Sequence, residues 1–300
     1  MSRPNILLGA ALAATAGIGF AANSTAAKVA YEGGTNPLTV LTLRSTLAAL
    51  LVLLIILVAN RNSLRMPLGR RLAACGIGGI LAIYSYGTLG SIQFIPVALA
   101  ILILYSFPLL TNLYAWISGQ ERPTAMSVGA LLVAFVGLVL ALDVRAGALD
   151  MHGVGLAAMA ALGLTVVIIL NNRLVGSGDS RPITFHMMLS ASVIFAVITW
   201  IAGDYALPTT PASWAGFLIG PAAYAGAIIT VFVAISLSGP APAAMSMNME
   251  PVASLIFGLL ILDQALGDIQ IFGAGLVIAA VVSLRLTDMR VPGANLEKKP

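Results

Sequence analysis

The chain has 300 residues, of which 59% are apolar (AVILMFWYC) and only 9% are Asp, Glu, Lys or Arg, and its formal net charge is +4. A typical soluble domain is about 45–50% apolar and about 25% charged. The composition therefore argues against a soluble enzyme, a nucleic-acid-binding protein and a disordered scaffold, and predicts an all-α integral membrane protein. The single cysteine, Cys75, excludes an internal disulfide and a cysteine-based metal site.

Ten apolar segments follow one another along the chain, and each is long enough to cross a bilayer as a helix, which takes about 20 residues. Pro, Gly and charged residues mark the breaks between them. The predicted spans are 6–30, 37–59, 71–92, 96–118, 124–142, 153–174, 183–203, 213–237, 240–262 and 268–287. A cleaved signal peptide within the first span is an alternative interpretation of Arg3 and the small residues at 14–16, but its removal would leave an odd number of helices.

Basic residues are concentrated on one side of the predicted membrane. Twelve Lys and Arg residues fall on the side of the N-terminus, whereas the opposite side has only Lys28 and Arg145, and Arg44 lies within a span. Loops rich in Lys and Arg remain in the cytoplasm. We therefore expect both termini to be cytoplasmic, which requires an even number of helices, in a multi-pass protein of the bacterial inner (plasma) membrane.

The two halves of the chain show a weak internal repeat. A shift of 145 residues aligns Lys28 with Arg173, and a shift of 143 aligns Pro108 with Pro251, while the order of the spans is kept. Each half then holds five helices, and because five is odd, the second half enters the bilayer from the opposite face, as in transporters with inverted repeats. Chance identities between two sequences rich in Leu and Ala are the alternative. The predicted division is a first repeat at 1–145, a second at 146–290 and a cytoplasmic tail at 291–300.

Short motifs in both halves resemble one known family. They are Gly17-Ile-Gly-Phe20 with Lys28, Asn36-Pro37-Leu-Thr with Arg44, Pro108 with Gly119-Gln-Glu121 and Gly129, and Glu250-Pro251-Val-Ala followed by Asp263 and Gly273-Ala-Gly275. In this pattern the chain resembles the EamA-type proteins of the drug/metabolite transporter superfamily. It departs from them at Ala16, where a Trp is usual, and at Asp263, where a Glu is usual. The resemblance implies ten helices in two inverted repeats and small-molecule transport, most often export of amino acids or related metabolites.

Two ionisable residues lie inside predicted spans, where each costs at least about 2.5–3.5 kcal/mol. Counted from the prolines that open their spans, Arg44 and Glu250 lie roughly 10 Å and 15 Å along their helices, and therefore at similar depths. The functional interpretation makes Glu250 a protonatable or cation-binding group and Arg44 its counter-ion or a gate. The structural alternative has Arg44 reaching the interface or pairing with Glu32, and Glu250 capping backbone groups that Pro251 frees.

Pro108 and Pro251 sit at corresponding places in the fourth and ninth spans. Each is expected to remove a helical hydrogen bond and bend its helix, which exposes carbonyl groups to a ligand or to water, unless the kink serves packing alone. Paired interruptions of this kind point to a midplane substrate site. The candidate lining consists of side chains near these breaks: Tyr84, Gln93, Tyr105, Asn112, Ser246, Met247, Asn248 and Glu250.

The leading hypothesis is a secondary transporter, not an enzyme, that exports small amphiphilic metabolites by alternating access, with protons as a candidate coupling ion. A small zwitterion fits best, because its ammonium group can meet Glu250 and its carboxylate can meet Arg44, whereas no cluster of basic groups exists to clamp phosphates. An exporter of lipophilic cations or drugs is the alternative, and a receptor or enzyme on the same bundle is less favoured. The expected partners are the substrate and the bilayer, with no cofactor, metal ion or nucleic acid and no required oligomer.

Three further patterns are interpreted as structural. The Gly-x-Gly-Asp sequence at 176–179 matches a motif of intramembrane aspartyl proteases, but it lies in a polar turn. His152 and His186 are at span boundaries without acidic neighbours, which favours packing over metal binding. Gly216 and Gly220 form a Gly-x-x-x-Gly pattern, which lets two helices approach closely.

Overall fold

The structure, a computed structural model, describes residues 6–119, 124–142, 150–176, 179–238, 243, 246–264 and 266–290. Throughout these ranges the regular structure is helical. The helices are α1 (Ile6–Glu32), α2 (Pro37–Asn60), α3 (Leu68–Ser91), α4 (Val97–Leu104), α5 (Phe107–Ile117), α6 (Ala125–Leu142), α7 (Met151–Val175), α8 (Arg181–Ala202), α9 (Pro211–Ser238), α10 (Met249–Leu262) and α11 (Asp268–Arg290), with a 3-10 turn at Arg61–Leu64. The all-α prediction is confirmed.

Seven helical segments in the described ranges have the length and composition of a membrane span, and one of them, Val97–Ile117, contains both α4 and α5. Three shorter apolar helices follow, at Val128–Ala141, Met249–Leu262 and Asp268–Ala280. They occupy the positions of the predicted fifth, ninth and tenth spans, while the count of ten membrane crossings remains a prediction. The start of the predicted ninth span, the boundary between the halves and the tail at 291–300 lie outside the described residues.

Large apolar side chains cover the outside of the bundle. Leu54, Val58, Trp200, Leu260 and Phe272 each expose more than half of their surface. Soluble proteins do not leave contiguous apolar areas of this kind in water. These faces are therefore the ones that contact lipid.

The helices of the first half of the chain pack mainly against those of the second half. α1 packs along α9, α3 along α7, α2 along α8 and α6 along α11. The main apolar core lies among these helices and includes the fully buried side chains of Leu41, Leu89 and Phe195. Neither half therefore buries its own helices without the other.

The short helix α4 lies in the interior of the bundle. All eight of its residues are buried, and it contacts α7 and α10. A helix that is apolar on every side is either enclosed by protein or in contact with lipid, and the burial of all eight residues shows that α4 is enclosed. This position brings the end of α4, and the break that follows it, to the centre of the protein.

Two links between helices are joined at one end of the bundle. Asn36 caps the start of α2, and its side-chain amide also donates a hydrogen bond of 2.8 Å to the main-chain oxygen of Asp204. The hydroxyl of Thr35 donates to the main-chain oxygen of Ala206 at 2.7 Å. The link between α1 and α2 therefore lies at the same end as the link between α8 and α9.

The opposite end of the bundle has a corresponding set of contacts. The guanidinium of Arg70 donates to the main-chain oxygen of Leu174 at 2.7 Å. The carboxylate of Asp179 accepts a hydrogen bond from Ser63. These bonds place the link between α2 and α3 beside the link between α7 and α8.

Candidate functional site

Glu250 is the second residue of α10 and is buried, with 9% of its surface exposed. Its carboxylate oxygen Oε2 accepts a hydrogen bond of 2.9 Å from the hydroxyl of Tyr105, and the same hydroxyl lies 3.0 Å from the main-chain oxygen of Met247. A phenol has a single hydrogen to donate, so these two acceptors share one donor. The structure thus brings together two predicted site residues that are 145 positions apart in the chain.

Both predicted interruptions are breaks between helices rather than bends within one. A turn at Tyr105 and Ser106 separates α4 from α5, and Pro108 lies in the first turn of α5. A turn at 247–248 precedes α10, in which Pro251 is the third residue. Proline is tolerated in the first turn of a helix because its missing N–H would have no intrahelical partner there. The two prolines therefore begin helices, which corrects the expectation that they bend them.

α1 passes very close to the second of these breaks at Gly17. A methyl group added at Gly17 would lie 2.8 Å from the main-chain oxygen of Met247 and 3.1 Å from the main-chain nitrogen of Glu250. Main-chain atoms cannot turn aside as a side chain can, so this approach requires glycine. Gly17 consequently sets the distance between α1 and the segment that carries the carboxylate.

Arg44 lies on α2 and is 3% exposed. Its guanidinium carbon is 4.2 Å from the ring centroid of Tyr224 on α9, which is cation–π geometry. Among the residues that the structure describes, no carboxylate lies within 4.0 Å of this guanidinium, and its Nε has no hydrogen-bond acceptor. Arg44 therefore neither reaches the surface nor forms an ion pair with Glu32 or Glu250, which differs from the arrangements that its sequence position suggested.

Tyrosine side chains surround the two buried charges. Tyr84 on α3 is within electrostatic range of Arg44, Tyr224 and Glu250, and Tyr224 is itself in range of both charges. The ring of Phe20 on α1 packs edge-on against Tyr224, with 5.5 Å between the centroids. The site therefore contains one acid and one base within a neutral aromatic environment.

Sequence reasoning missed two residues near Arg44 and one buried amide of α1. Tyr224 contacts Arg44, Tyr31 lies in electrostatic range of the same guanidinium, and Asn23 is buried with no donor to its Oδ1 among the described residues. A single tyrosine or asparagine in an apolar helix gives little signal of its own. One usable signal precedes Tyr224 by three residues, because Pro221 is a proline inside a span.

The remaining predicted residues are spread over several positions. Gln93 is exposed in the turn that follows α3, because that helix ends at Ser91, one residue before the end of the predicted span. The side-chain amide of Asn112 donates to the main-chain oxygen of Pro108 at 3.0 Å, within its own helix. Ser246 is partly buried just before the second break. Gln93 therefore lies outside the buried centre, while the place of Asn112 and Ser246 in the lining remains a prediction.

A small pocket lies beside the break at Tyr105. Its lining consists of Leu102, Tyr105, Asn248, Pro251, Val277 and Ile278. The side-chain nitrogen Nδ2 of Asn248 is buried there without an acceptor among the described residues. The pocket has room for about one water molecule, which is too little for a metabolite.

The three patterns interpreted as structural have ordinary surroundings. Asp179 forms an ion pair of 2.8 Å with Arg181, while part of the Gly-x-Gly-Asp sequence lies outside the described residues. The ring nitrogen Nδ1 of His186 lies 2.7 Å from a main-chain oxygen on its own helix. A methyl group at Gly216 would lie 2.5 Å from the main-chain oxygen of Ala26, so this glycine serves the contact between α9 and α1.

The lipid-facing helices and the buried polar centre define a multi-pass membrane protein. The chain matches the model of the EamA-like transporter family twice, over residues 7–142 and 151–286. The protein belongs to this family, which is part of the drug/metabolite transporter superfamily, and is therefore a membrane transporter. The resemblance seen in the sequence motifs is confirmed.

Two further likenesses agree with this assignment. Over 233 residues the chain is 24% identical to an uncharacterized transporter of Synechocystis sp., and the match covers 74% of this chain and 70% of the relative. A solved crystal structure superposes with a TM-score of 0.64 at 21% identity, covering 96% of this chain and 99% of that chain. At this level of identity the structural likeness shows the fold alone.

Proposed function

We propose that this protein is a secondary transporter that exports small zwitterionic metabolites, amino acids or their derivatives, by alternating access at the site around Arg44 and Glu250. The observation that carries the proposal is that these two opposite charges are both buried and are not paired with each other in the described structure. Burying a charge without an opposite charge is costly. A ligand with a carboxylate and an ammonium group would neutralise both.

The surroundings of the two charges favour an amino acid over a phosphorylated substrate. Arg44 is the one arginine or lysine in this aromatic centre among the described residues, and its neighbours in electrostatic range are tyrosines. Phosphate recognition normally employs several cationic or main-chain donors. The aromatic rings would instead contact the apolar side chain of an amphiphilic substrate.

Proton coupling follows from the same carboxylate. A proton and the ammonium group of a substrate would compete for Glu250, since each neutralises it. Binding of one then requires release of the other, which links an inward flow of protons to an outward flow of substrate. The hydroxyl of Tyr105 would stabilise the carboxylate in the interval when neither is bound.

Alternating access rests on a twofold relation between the halves at 1–145 and 146–290, in opposite orientations. The helix contacts support this relation. Exchanging the halves converts the contact of α1 with α9 into that of α7 with α3, and it leaves the contacts of α2 with α8 and of α6 with α11 unchanged. The broken helices α4 and α10, which touch each other, would lie on the axis and form the moving centre.

The hydrogen-bonded links support ten crossings with cytoplasmic termini in the bacterial inner membrane. The links at 33–36 and 203–210 share one end of the bundle. Six spans separate them when α4 and α5 count as one interrupted crossing, and an even number returns the chain to the same side. The end that contains Arg70 and Asp179 would then face the cytoplasm, as its basic residues suggest.

An exporter of lipophilic cations is the second candidate. Its support is the presence of three tyrosines near a single acid, since tyrosine rings and a carboxylate together bind organic cations. This mode makes no use of Arg44. The two candidates therefore differ in whether the guanidinium is required.

Transport by purified protein in liposomes tests both candidates. We expect efflux of a radiolabelled amino acid from a mixed panel, with competition by other amino acids and a large loss in Arg44→Ala. If amino acids fail to displace a transported lipophilic cation, and Arg44→Ala moves that cation normally, the second candidate is correct. A protein that moves no member of either class would exclude both and favour a receptor or an enzyme.

A further inference from the structure

The ring of Tyr224 occupies one face of the Arg44 guanidinium. We propose that Tyr224 is a specificity-determining residue that keeps this guanidinium available for a substrate carboxylate by holding it apart from Glu250. The inference rests on the proposed function and names the residue that would make the site selective for acids. It concerns a side chain that none of the sequence motifs contains.

Arg44 carries a buried positive charge. An arginine guanidinium is always protonated in proteins, and the Arg44 side chain is 3% exposed. The tyrosines in its electrostatic range, Tyr31, Tyr84 and Tyr224, are side chains that ordinarily carry no charge near neutral pH. A ring face attracts a desolvated cation less strongly than an anion does. Arg44 therefore remains ready to accept an anionic partner.

Glu250 does not become the anionic partner of Arg44 in this structure, because each of the two groups is held by a different tyrosine. Opposite charges attract strongly in a region of low dielectric constant, so a free guanidinium would move towards the carboxylate. The ring of Tyr224 is 6% exposed and is held by the edge of Phe20. Because this ring is fixed, it fixes the plane of the guanidinium that stacks on it. The carboxylate is held separately by Tyr105.

The N–H edge of the Arg44 guanidinium is the part that a ligand can bind. Stacking occupies a face of the guanidinium, while its N–H groups point outward in the plane and can bind a carboxylate with two parallel hydrogen bonds. The Nε of Arg44 has no acceptor among the described residues. An acid therefore has a donor edge to bind, provided that the ring keeps the guanidinium in place.

Loss of the ring should convert two subsites into an internal ion pair. In Tyr224→Leu the guanidinium is free to reach Glu250, and each charge then neutralises the other. A carboxylate would have to break that pair in order to bind. The matched variant Tyr224→Phe keeps the ring and removes only the hydroxyl, so it isolates the contribution of the ring.

The experiment measures binding of three related compounds to the full chain in detergent by calorimetry. The probes are phenylalanine, phenethylamine, which lacks the carboxylate, and 3-phenylpropanoate, which lacks the ammonium group. We expect Tyr224→Leu to weaken binding of 3-phenylpropanoate at least tenfold relative to the wild type and at least threefold relative to Tyr224→Phe. Adding Glu250→Gln to Tyr224→Leu should restore the binding of this acid, because the internal partner of Arg44 is gone.

The outcomes separate this inference from the proposed function. If phenylalanine is bound and transported while Tyr224→Leu binds 3-phenylpropanoate as the wild type does, the inference is wrong and the function stands. If the wild type binds the acid with the expected dependence on Tyr224 but transports no amino acid, the function is wrong and the inference stands. Absence of acid binding in the wild type overturns the inference. The inference is also wrong if Tyr224→Leu binds 3-phenylpropanoate weakly and adding Glu250→Gln does not restore the binding, since that result indicates general damage to the site.

Discussion

The hydroxyl of Tyr105 donates a hydrogen bond of 2.9 Å to the carboxylate of Glu250, and this bond connects the helix break of the first half with the first turn of α10 in the second. The main-chain oxygen of Met247, which belongs to the second break, lies equally close to the same hydroxyl. Two interrupted helices are thus tied together by one side chain. A change at the carboxylate would reach both breaks at once.

Replacing Tyr105 by Phe should destabilise the protein. The substitution removes the hydroxyl donor and leaves the buried carboxylate oxygen of Glu250 without that hydrogen bond, which costs about 1–3 kcal/mol. Thermal unfolding in detergent should show a lower midpoint than for the wild type. Tyr86→Phe is the matched control, because Tyr86 is 37% exposed on α3. Equal midpoints for the two variants would contradict the importance of this bond.

Replacing Glu250 by Gln should separate substrate movement from proton movement. The amide cannot take up a proton, so export driven by a pH gradient should disappear while exchange of substrate for substrate persists. Glu32→Gln serves as the control, because Glu32 is exposed at the end of α1. Proteoliposomes with an imposed pH gradient provide the measurement. Unchanged gradient-driven export by Glu250→Gln would eliminate this carboxylate as the coupling site.

Replacing Gly17 by Ala should reduce transport severely. The added methyl group would meet main-chain atoms of Met247 and Glu250 at 2.8 and 3.1 Å, so the turn before α10 must shift. Gly155→Ala on α7 is the matched helical control, since nothing lies within 4 Å of the methyl group there. We expect the control to retain activity and to gain about 0.5–1 kcal/mol of stability. Similar activities for both variants would show that the close approach of α1 is dispensable.

Labelling of single cysteines should establish the orientation of the bundle. In a Cys75→Ala background, a cysteine at Asn62 should resist a membrane-impermeant thiol reagent in intact cells, because the proposed topology places its link in the cytoplasm. A cysteine at Tyr205 should react, since this residue is 56% exposed in the link joined to Asn36. The reverse pattern of labelling would invert the topology.

The Asp179–Arg181 ion pair should give a small pH-dependent stabilisation. The Arg181 guanidinium, which hydrogen-bonds the carboxylate, holds the pKa of Asp179 below its usual value of 3.8. A lowered folded-state pKa stabilises the protein above the usual value, and this stabilisation is lost as the pH falls through the lowered one. Because the carboxylate side chain is 32% exposed, the effect should stay under about 1 kcal/mol. Thermal midpoints of Asp179→Asn and the wild type should differ at pH 7 and converge in acid.

Helix positions are largely predictable because a membrane span is long and apolar, and both properties can be read from the sequence. α2 was expected at 37–59 and runs over Pro37–Asn60, since a capping Asn and a first-turn Pro mark its start. The break at 105–106 was less visible. Pro108 signalled an interruption, but a proline also fits the first turn of a new helix, and the sequence alone does not distinguish the two cases.

The partner of Arg44 could not be predicted. Depth along a helix follows from counting residues, and it places Arg44 and Glu250 inside spans, where the structure buries both side chains. The direction of each side chain depends on how helices far apart in the chain are rotated against one another. Tyr224 lies 180 positions after Arg44, and neither the Gly-x-x-x-Gly pattern nor Pro221 of its helix indicates which residue it faces. Its contact with the guanidinium is therefore visible only in three dimensions.

The complete burial of α4 has a consequence for biosynthesis. The helices that cover most of it, α7 and α10, are made later than α4 itself, because they belong to the second half of the chain, whereas α1, α3 and α6 of the first half contact it less. Until the second half arrives, the sides of α4 that meet α7 and α10 must face lipid or the insertion machinery instead of protein. The first half is therefore an assembly intermediate with an open side, and its folding is completed only when the second half closes around it.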